Sequence, residues 1–154
     1  MKNHRAILKA ACAALLACTA GFAAALDSQT LAVTASVTGI CKFSSTSTPL
    51  AFGAIDPSLT TAKTISANVL YKCTKGTPSL GVTATGGTTR SMTGPTPTDL
   101  LGYSLAFSSG TQTGTGFGSG QDLTLVVNGT ITAAQYQNVA AGAYTENVTL
   151  NITP

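Results

Sequence analysis

The chain has 154 residues, with 8 Lys and Arg, 5 Asp and Glu, one His and four Cys, and this length predicts a single domain. Three of the basic residues, the histidine and two of the cysteines lie in the first 25 residues, so the remainder carries five basic and five acidic side chains. A neutral surface offers no patch that neutralises phosphates, which argues against nucleic-acid binding. The remainder contains no histidine, so the usual general base and the commonest metal ligand are missing from it. We therefore expect neither enzymatic activity nor a cofactor.

The first 25 residues have the features of a secretory signal peptide. Three basic residues precede the apolar stretch 10–22, and alanines at 23–25 provide a cleavage site. The apolar stretch is too short to span a bilayer. We predict cleavage between Ala25 and Leu26, which removes residues 1–25 and leaves a mature chain of residues 26–154.

An alternative interpretation of the leader also leads to export. Residues 15–18 (LLAC) look like a weak lipobox, which would leave Cys18 lipidated and the protein anchored to a membrane. In either case Cys41 and Cys73 reach an oxidising compartment, where a disulfide is the simplest role for two cysteines. The bridge would close a loop of about 32 residues, worth roughly 3.5–4 kcal/mol in the chain-entropy model. The alternative is two free thiols or half of a metal site, for which no cluster of His or carboxylates supplies the other ligands.

The mature sequence is typical of an all-β protein. It contains 26 Thr and 13 Ser, and Thr favours strands over helices. Apolar residues recur at every second position in six runs, whereas no stretch has the spacing of an amphipathic helix. The runs cover residues 31–37, 65–73, 80–84, 103–107, 123–127 and 148–152. Because turn-forming Gly and Pro separate them, we predict a Greek-key β-sandwich.

The residues that might carry chemistry have simpler structural interpretations. Residues 114–120 (GTGFGSG) are glycine-rich, but neither a Lys-Ser/Thr pair nor a helix follows, so we predict an inter-strand loop rather than a phosphate site. Three aspartates lie beside turn signals, which favours turn formation over a pair of glycosidase carboxylates: Asp56, Asp99 and Asp122. Tyr103 and Tyr144 are in phase with core positions, which favours packing over stacking on sugars.

The first alternating run begins only a few residues after the predicted cleavage site. Its apolar residues are Leu31, Val33, Ala35 and Val37, which form a face about 20 Å long at the rise of a strand. The run can be the first strand of its own sandwich. It can also be a strand that is donated to an open sheet edge of another molecule. Periodicity alone does not choose between the two.

Several segments resemble, in order, the motifs of the spore coat protein U domain family. They are 50–53 (LAFG), 56–57 (DP), 71–78 (YKCTKGTP), 90–92 (RSM), 101–105 (LGYSL) and 141–146 (AGAYTE). The resemblance extends from about Thr30 to Ile152, nearly the whole mature chain. The order and spacing of these segments around the two cysteines make the set fairly specific.

The resemblance implies a pilin subunit of an archaic chaperone–usher pilus in a Gram-negative bacterium. Such a subunit is an immunoglobulin-like sandwich that lacks its last strand. A periplasmic chaperone lends a strand during folding, and the N-terminal segment of the next subunit replaces it at the outer-membrane usher. The expected organisation is a signal peptide (1–25), a donor-strand segment (26–38) and a sandwich domain (39–154). The sequence ends soon after its last predicted strand, as expected for an incomplete sandwich.

The resemblance also implies roles for individual residues. The donor residues would be Leu31, Val33, Ala35 and Val37, and the acceptor groove would lie beside a last strand whose inward residues are Val148, Leu150 and Ile152. The expected partners are neighbouring subunits, a periplasmic chaperone and an outer-membrane usher. The protein would pass through the periplasm to the cell surface, where the fibre supports adhesion and biofilm formation. The alternative is a secreted or lipid-anchored coat-like surface protein of the same fold that does not polymerise.

Overall fold

The computed structural model describes residues 26–108 and 110–154. The predicted signal peptide, including Ala25 and the alternative lipidation site Cys18, lies outside the described residues. The described residues before Ser36 belong to one unit and Ser36–Pro154 form another, and the strands lie in the second unit. Within the described ranges, no helix has the length and apolar character needed to cross a membrane.

The part of the chain that the structure describes contains seven strands and one helical turn. In chain order these are β1 (Cys41–Phe43), β2 (Lys63–Cys73), β3 (Gly81–Ala84), β4 (Thr89–Thr93), β5 (Leu100–Ser108), β6 (Leu123–Ile131), α1 (Ala133–Tyr136) and β7 (Leu150–Thr153). A five-stranded antiparallel sheet has the order β1-β2-β6-β5-β4, and β3 pairs with β7 in a second, two-stranded antiparallel sheet. The predicted all-β class is confirmed, whereas the Greek-key connection and the missing last strand stay predictions.

The alternation of apolar and polar residues in β2 explains how the larger sheet forms one face of the core. Val69, Tyr71 and Cys73 are buried, whereas Leu70 between them is exposed and Lys72 is half-buried, since successive side chains of a strand point to opposite faces. The register with β6 places Val69 opposite the buried Leu125. Apolar pairs of this kind are what stabilises a sheet.

Over the residues that the structure describes, one cluster of buried side chains forms the core. Its members are Phe52, Val69, Tyr71, Cys73, Leu101, Tyr103, Leu105, Leu125, Val127, Ile131 and Tyr136. Four partly buried residues of the two-stranded sheet pack against this cluster: Val82, Ala84, Leu150 and Ile152. Side chains from both sheets therefore meet in one core, and each fully buried large apolar side chain contributes about 1.5–3 kcal/mol.

Five of the six predicted alternating runs correspond to strands, with shifted ends. The last strand begins at Leu150 rather than at residue 148, and residues 31–37 are not a strand in the described chain. Neither β1 nor β4 was predicted. The first is only three residues long, and in the second the charged Arg90 shares a face with Met92, which interrupts the apolar alternation.

Candidate functional site

A groove with a volume of about 810 Å³ lies against the inner face of the five-stranded sheet. One wall is the chain that follows β1, residues 45–50, and the other is the segment 146–150 that leads into β7. The floor comes from four strands of the larger sheet and consists of Ala67, Val69, Met92, Tyr103, Leu105 and Val127. The groove is therefore a mostly apolar surface between two stretches of extended chain.

Phe52 closes the inner side of the first wall because a glycine leaves room for it. A Cβ atom on Gly129 would lie 2.9 Å from Cζ of Phe52 and 3.0 Å from Cδ2 of Leu50. The ring of Phe52 is 9 % exposed and meets Tyr103 edge to face at a centroid distance of 6.0 Å. The absence of a side chain on β6 at this point thus fixes where the wall crosses the sheet.

A second cavity of about 570 Å³ adjoins the groove. It shares Leu50, Phe52 and Met92 with the groove and is bordered by residues 50–55 and 139–144. The hydroxyl of Tyr144 donates to the carbonyl of Ala140 at 2.7 Å, which satisfies the polar end of this side chain. The apolar depression therefore extends well beyond β7.

The edge of β7 that faces away from β3 has no strand partner among the described residues. Upstream of β7, Thr145 exchanges backbone hydrogen bonds with Thr93 of β4, at 3.0 and 3.1 Å, and Thr149 then accepts one from Thr85 at 2.9 Å. The last segment thus passes from the edge of one sheet to the edge of the other. Unpaired backbone groups along such an edge can pair with a strand from elsewhere.

One charged cluster lies beside the groove. The guanidinium group of Arg90 forms an ion pair with Oε1 of Glu146, and the hydroxyl of Tyr103 donates to Oε2 at 2.7 Å. Burial, then the hydrogen bond to Glu146, raises the pKa of Tyr103 to about 12. The hydrogen bond to Glu146 also raises the pKa of Arg90. Both groups are therefore protonated donors at neutral pH.

The structure places the predicted site residues as follows. Val148 and Leu150 line the groove. Ile152 does not line the groove, but it is partly buried and packs against the core. The predicted donor residues are exposed: Leu31 by 84 %, Val33 by 82 %, Val37 by 85 %, and Ala35 as well. Leu26, at the predicted cleavage site, is 97 % exposed. The roles of acceptor, donor and cleavage site stay predictions.

The predicted disulfide between Cys41 and Cys73 is confirmed. These cysteines are register partners of β1 and β2, so the bridge fixes the start of the first groove wall. Close by, the hydroxyl of Thr74 donates to the carbonyl of Thr38, in the chain that precedes β1, at 3.2 Å.

Each of these three aspartates has a hydrogen-bond or ion-pair partner of its own. Asp56 accepts hydrogen bonds from the backbone and hydroxyl of Ser58, at 2.9 and 2.7 Å, and these bonds lower its pKa. Asp99 accepts from Thr96 in the same way, so both stabilise turns as predicted. Asp122 instead pairs with Lys72 at 3.7 Å. The described residues contain no group of three potential metal ligands.

The contact between Arg90 and Glu146 was not predicted from the sequence. The two residues are 56 positions apart, and the resemblance contained both without indicating that they touch. The sequence does contain one signal for this contact, the alternation of side chains along a strand. Arg90 lies two positions before Met92, and Glu146 lies two positions before Val148, and both of these apolar residues line the groove. A charged residue in an inward phase usually has an opposite charge nearby.

Comparisons with curated proteins and with solved structures found no significant match. Among protein families, the Spore Coat Protein U domain matches residues 27–151. This family is associated with chaperone–usher pilus and coat subunits, is structural rather than enzymatic, and implies an extracellular or surface-exposed protein. Since the match covers most of its length, the chain belongs to the Spore Coat Protein U domain family.

Proposed function

We propose that this protein is a structural subunit of a surface fibre that assembles by donor-strand exchange. The segment 26–38 of one copy fills the groove of the next, with Leu31, Val33, Ala35 and Val37 pointing into it. A periplasmic chaperone occupies the groove beforehand, and an outer-membrane usher is where the exchange takes place. The assembled fibre serves adhesion and biofilm formation.

The observation that carries the proposal is that one chain contains both an open apolar groove and an exposed apolar segment. The groove is bordered on one side by the segment leading into β7, whose outer edge lacks a strand partner in the described chain. The segment 31–37 presents alternating apolar side chains that are more than four-fifths exposed at Leu31, Val33 and Val37. A donated strand satisfies both features through main-chain hydrogen bonds and side chains at alternate positions.

The dimensions and energies agree with this assignment. At the rise of a strand, Leu31 to Val37 spans about 20 Å, and the segment from Glu146 to Thr153 spans about 23 Å. Burying the two valines and the leucine of the donor contributes roughly 5–8 kcal/mol before the cost of ordering the segment. The continuation of the groove into the second cavity leaves additional apolar surface for a strand to cover.

The test compares surface-sheared material from cells that produce the wild type, Val33→Asp or Thr34→Asp, analysed on SDS gels before and after boiling. For the wild type we expect a ladder that collapses to a monomer on boiling. Val33→Asp should lose the ladder because it places a charge in an apolar groove. Thr34→Asp is the matched control, since residue 34 points away from the groove and the ladder should persist.

Two outcomes would contradict the proposal. A monomer band in both lanes of the wild type, with the protein present at the surface, would instead support a non-polymerising coat-like protein. In that case the mass of the mature N-terminus distinguishes a secreted form, which begins at Leu26, from a form anchored through lipid on Cys18. An unchanged ladder for Val33→Asp would show that Val33 does not enter the groove.

A further inference from the structure

We propose that Arg90 and Tyr103 compensate the charge of Glu146 so that the groove accepts the uncharged stretch 31–37 of the donor segment, which makes this cluster a determinant of donor specificity. The inference rests on the proposed function and concerns the same groove. It assigns positioning roles to Arg90 and Tyr103, which act on the donor strand through Glu146.

Glu146 occupies a position where an apolar residue is expected. Tyr144, Glu146, Val148 and Leu150 are half-buried, and the residues between them are exposed, so Glu146 belongs to the inward series of the second wall. Among the described residues that line the groove, it is the one charged residue. A carboxylate at this position loses its hydration when an apolar strand covers it, and an uncompensated charge is then costly.

The fold supplies the compensation before any strand arrives. Each carboxylate oxygen of Glu146 accepts a hydrogen bond: Arg90 donates to Oε1, and the hydroxyl of Tyr103 donates to Oε2. Arg90 is itself held in place because its other terminal nitrogen donates to the carbonyls of Thr85 at 2.6 Å and Gly87 at 3.3 Å. The Arg90 and Glu146 side chains are 11 % and 21 % exposed, so little further movement is needed for the pair to become fully covered.

The effect of breaking the pair differs between the empty and the filled groove. In the empty groove water still reaches Glu146, so a partner lost from the pair is partly replaced by solvent. In the filled groove no water remains, and the orphaned carboxylate bears the full cost of desolvation. Loss of Arg90 should therefore weaken uptake of a strand more than it weakens folding.

The experiment uses the full mature chain carrying Val33→Asp, which can accept a strand but cannot donate one. A fluorescein-labelled peptide of residues 26–38 is titrated with this parent, with Arg90→Gln, and with Arg90→Gln combined with Glu146→Gln. Anisotropy gives the affinity, and circular dichroism with urea gives the stability of each variant. The matched control is Lys72→Gln, which removes the cation from the more exposed pair with Asp122.

We expect Arg90→Gln to weaken peptide binding at least about tenfold. The double variant should return to within about threefold of the parent because neither charge remains. Arg90→Lys, which keeps the cation, should also remain within about threefold, and it tests the same point if Arg90→Gln fails to fold. Lys72→Gln should bind like the parent.

A second set of peptides separates charge compensation from a merely structural role. Four peptides each carry one lysine in place of Leu31, Val33, Ala35 or Val37. Arg90→Gln should bind at least one of them more tightly than the parent does, because the freed carboxylate can pair with the lysine. A purely structural role for Arg90 would weaken the binding of all peptides alike.

The results distinguish failure of the proposed function from failure of the inference about Arg90. If the parent does not bind the native peptide, the proposed function fails and this inference with it. If the parent binds but Arg90→Gln binds equally well, or if the double variant is as weak as Arg90→Gln, the proposed function stands and the inference is overturned. The same holds if none of the lysine peptides gains affinity for Arg90→Gln.

Discussion

At the scale of single residues, Gly114 shows that part of the glycine-rich stretch is packed rather than merely linking strands. A Cβ atom at this position would lie 2.4 Å from the carbonyl oxygen of Thr74 and 2.6 Å from Cβ of Cys73. The backbone of Gly114 also exchanges hydrogen bonds with Gly76 and Thr77, at 2.9 and 2.7 Å. The loop is therefore fixed at its start, close to the disulfide.

We predict that Gly114→Ala destabilises the protein by about 2–3 kcal/mol, because the added methyl group has no room and the neighbouring backbone cannot yield cheaply. Gly118→Ala is the matched control in the same loop, since its Cβ would meet only Cγ of Gln121, at 3.7 Å. The control should change stability by less than about 0.5 kcal/mol. Urea unfolding measures both, and equal stabilities for the two variants would show that the close approach is not present in solution.

We predict that the folded protein loses stability in alkali because Tyr103 then ionises. Burial, followed by the hydrogen bond to Glu146, raises its pKa from 10 to about 12. A folded-state pKa above the unfolded value favours the protonated form, so the contribution is complete below pH 10 and is lost as the pH rises toward 12. Its size is on the order of 1 kcal/mol once solvent screening is allowed for.

The measurement is the difference in unfolding free energy between wild type and Tyr103→Phe as a function of pH. Lysines also titrate in this range, and the difference removes their effect because both proteins carry the same set. We expect the wild type to lose stability relative to the variant between about pH 10 and 12. A constant difference over that range would contradict the raised pKa.

At the scale of elements, β1 depends on its disulfide. The strand has only three residues and lies at the edge of the sheet, paired with β2 alone. Phe43, at its end, lines the groove. The bridge closes a sequence separation of 32 residues, which restricts the unfolded chain and also keeps this edge strand in place.

We predict that Cys41→Ser lowers the free energy of unfolding by roughly 3.5–4 kcal/mol, the value expected for a loop of this length. Cys73→Ser should have a similar effect, and the wild type in excess reductant should match both. The comparison is made by urea unfolding of the purified mature chain, with periplasmic yield as a second measurement. An unchanged unfolding curve for Cys41→Ser would mean that the bridge does not stabilise the fold.

The sequence predicts elements well where each residue's burial follows from its own chemistry. In β2 every inward position is apolar, including the cysteine, so the alternation alone identifies both the strand and its buried face. In β4 the inward position 90 is an arginine whose burial depends on Glu146, 56 residues away. A pattern based on local apolar spacing cannot detect such a residue, and the strand was missed for that reason.

The two walls of the groove differ in the same way in how far the local sequence pattern indicates them. In its second wall, Val148 and Leu150 share an apolar phase that is readable in the sequence, whereas their role as acceptor residues was implied by the family resemblance and stays a prediction. The first wall has no such signal, because residues 45–50 are mostly small and polar and have no period of two. Their position depends on Phe52 lying over Gly129 on β6, a contact between residues distant in sequence. The groove becomes visible only when both walls are placed on the sheet.

At the scale of the whole molecule, the low and balanced charge of the predicted mature chain bears on what would drive the proposed assembly. The mature chain predicted here carries five basic and five acidic side chains, so one copy presents no net charge to the next. Glu146, the charged residue among those that line the groove in the described chain, is already paired with Arg90. Apolar burial and backbone pairing are then the remaining sources of affinity, and neither depends strongly on ionic strength.

We therefore predict that uptake of the peptide of residues 26–38 by the Val33→Asp chain varies by less than about threefold between roughly 50 and 500 mM NaCl, a range over which attraction between exposed charges is largely screened. Both the rate of uptake and the affinity should show this, since steering by opposite charges acts mainly on the association rate. The control is Arg90→Gln, whose binding of a lysine-substituted peptide should weaken as salt is added. A steep fall in the native rate with salt would instead show that long-range electrostatic attraction brings subunits together, and the driving force would then have to be sought outside the groove.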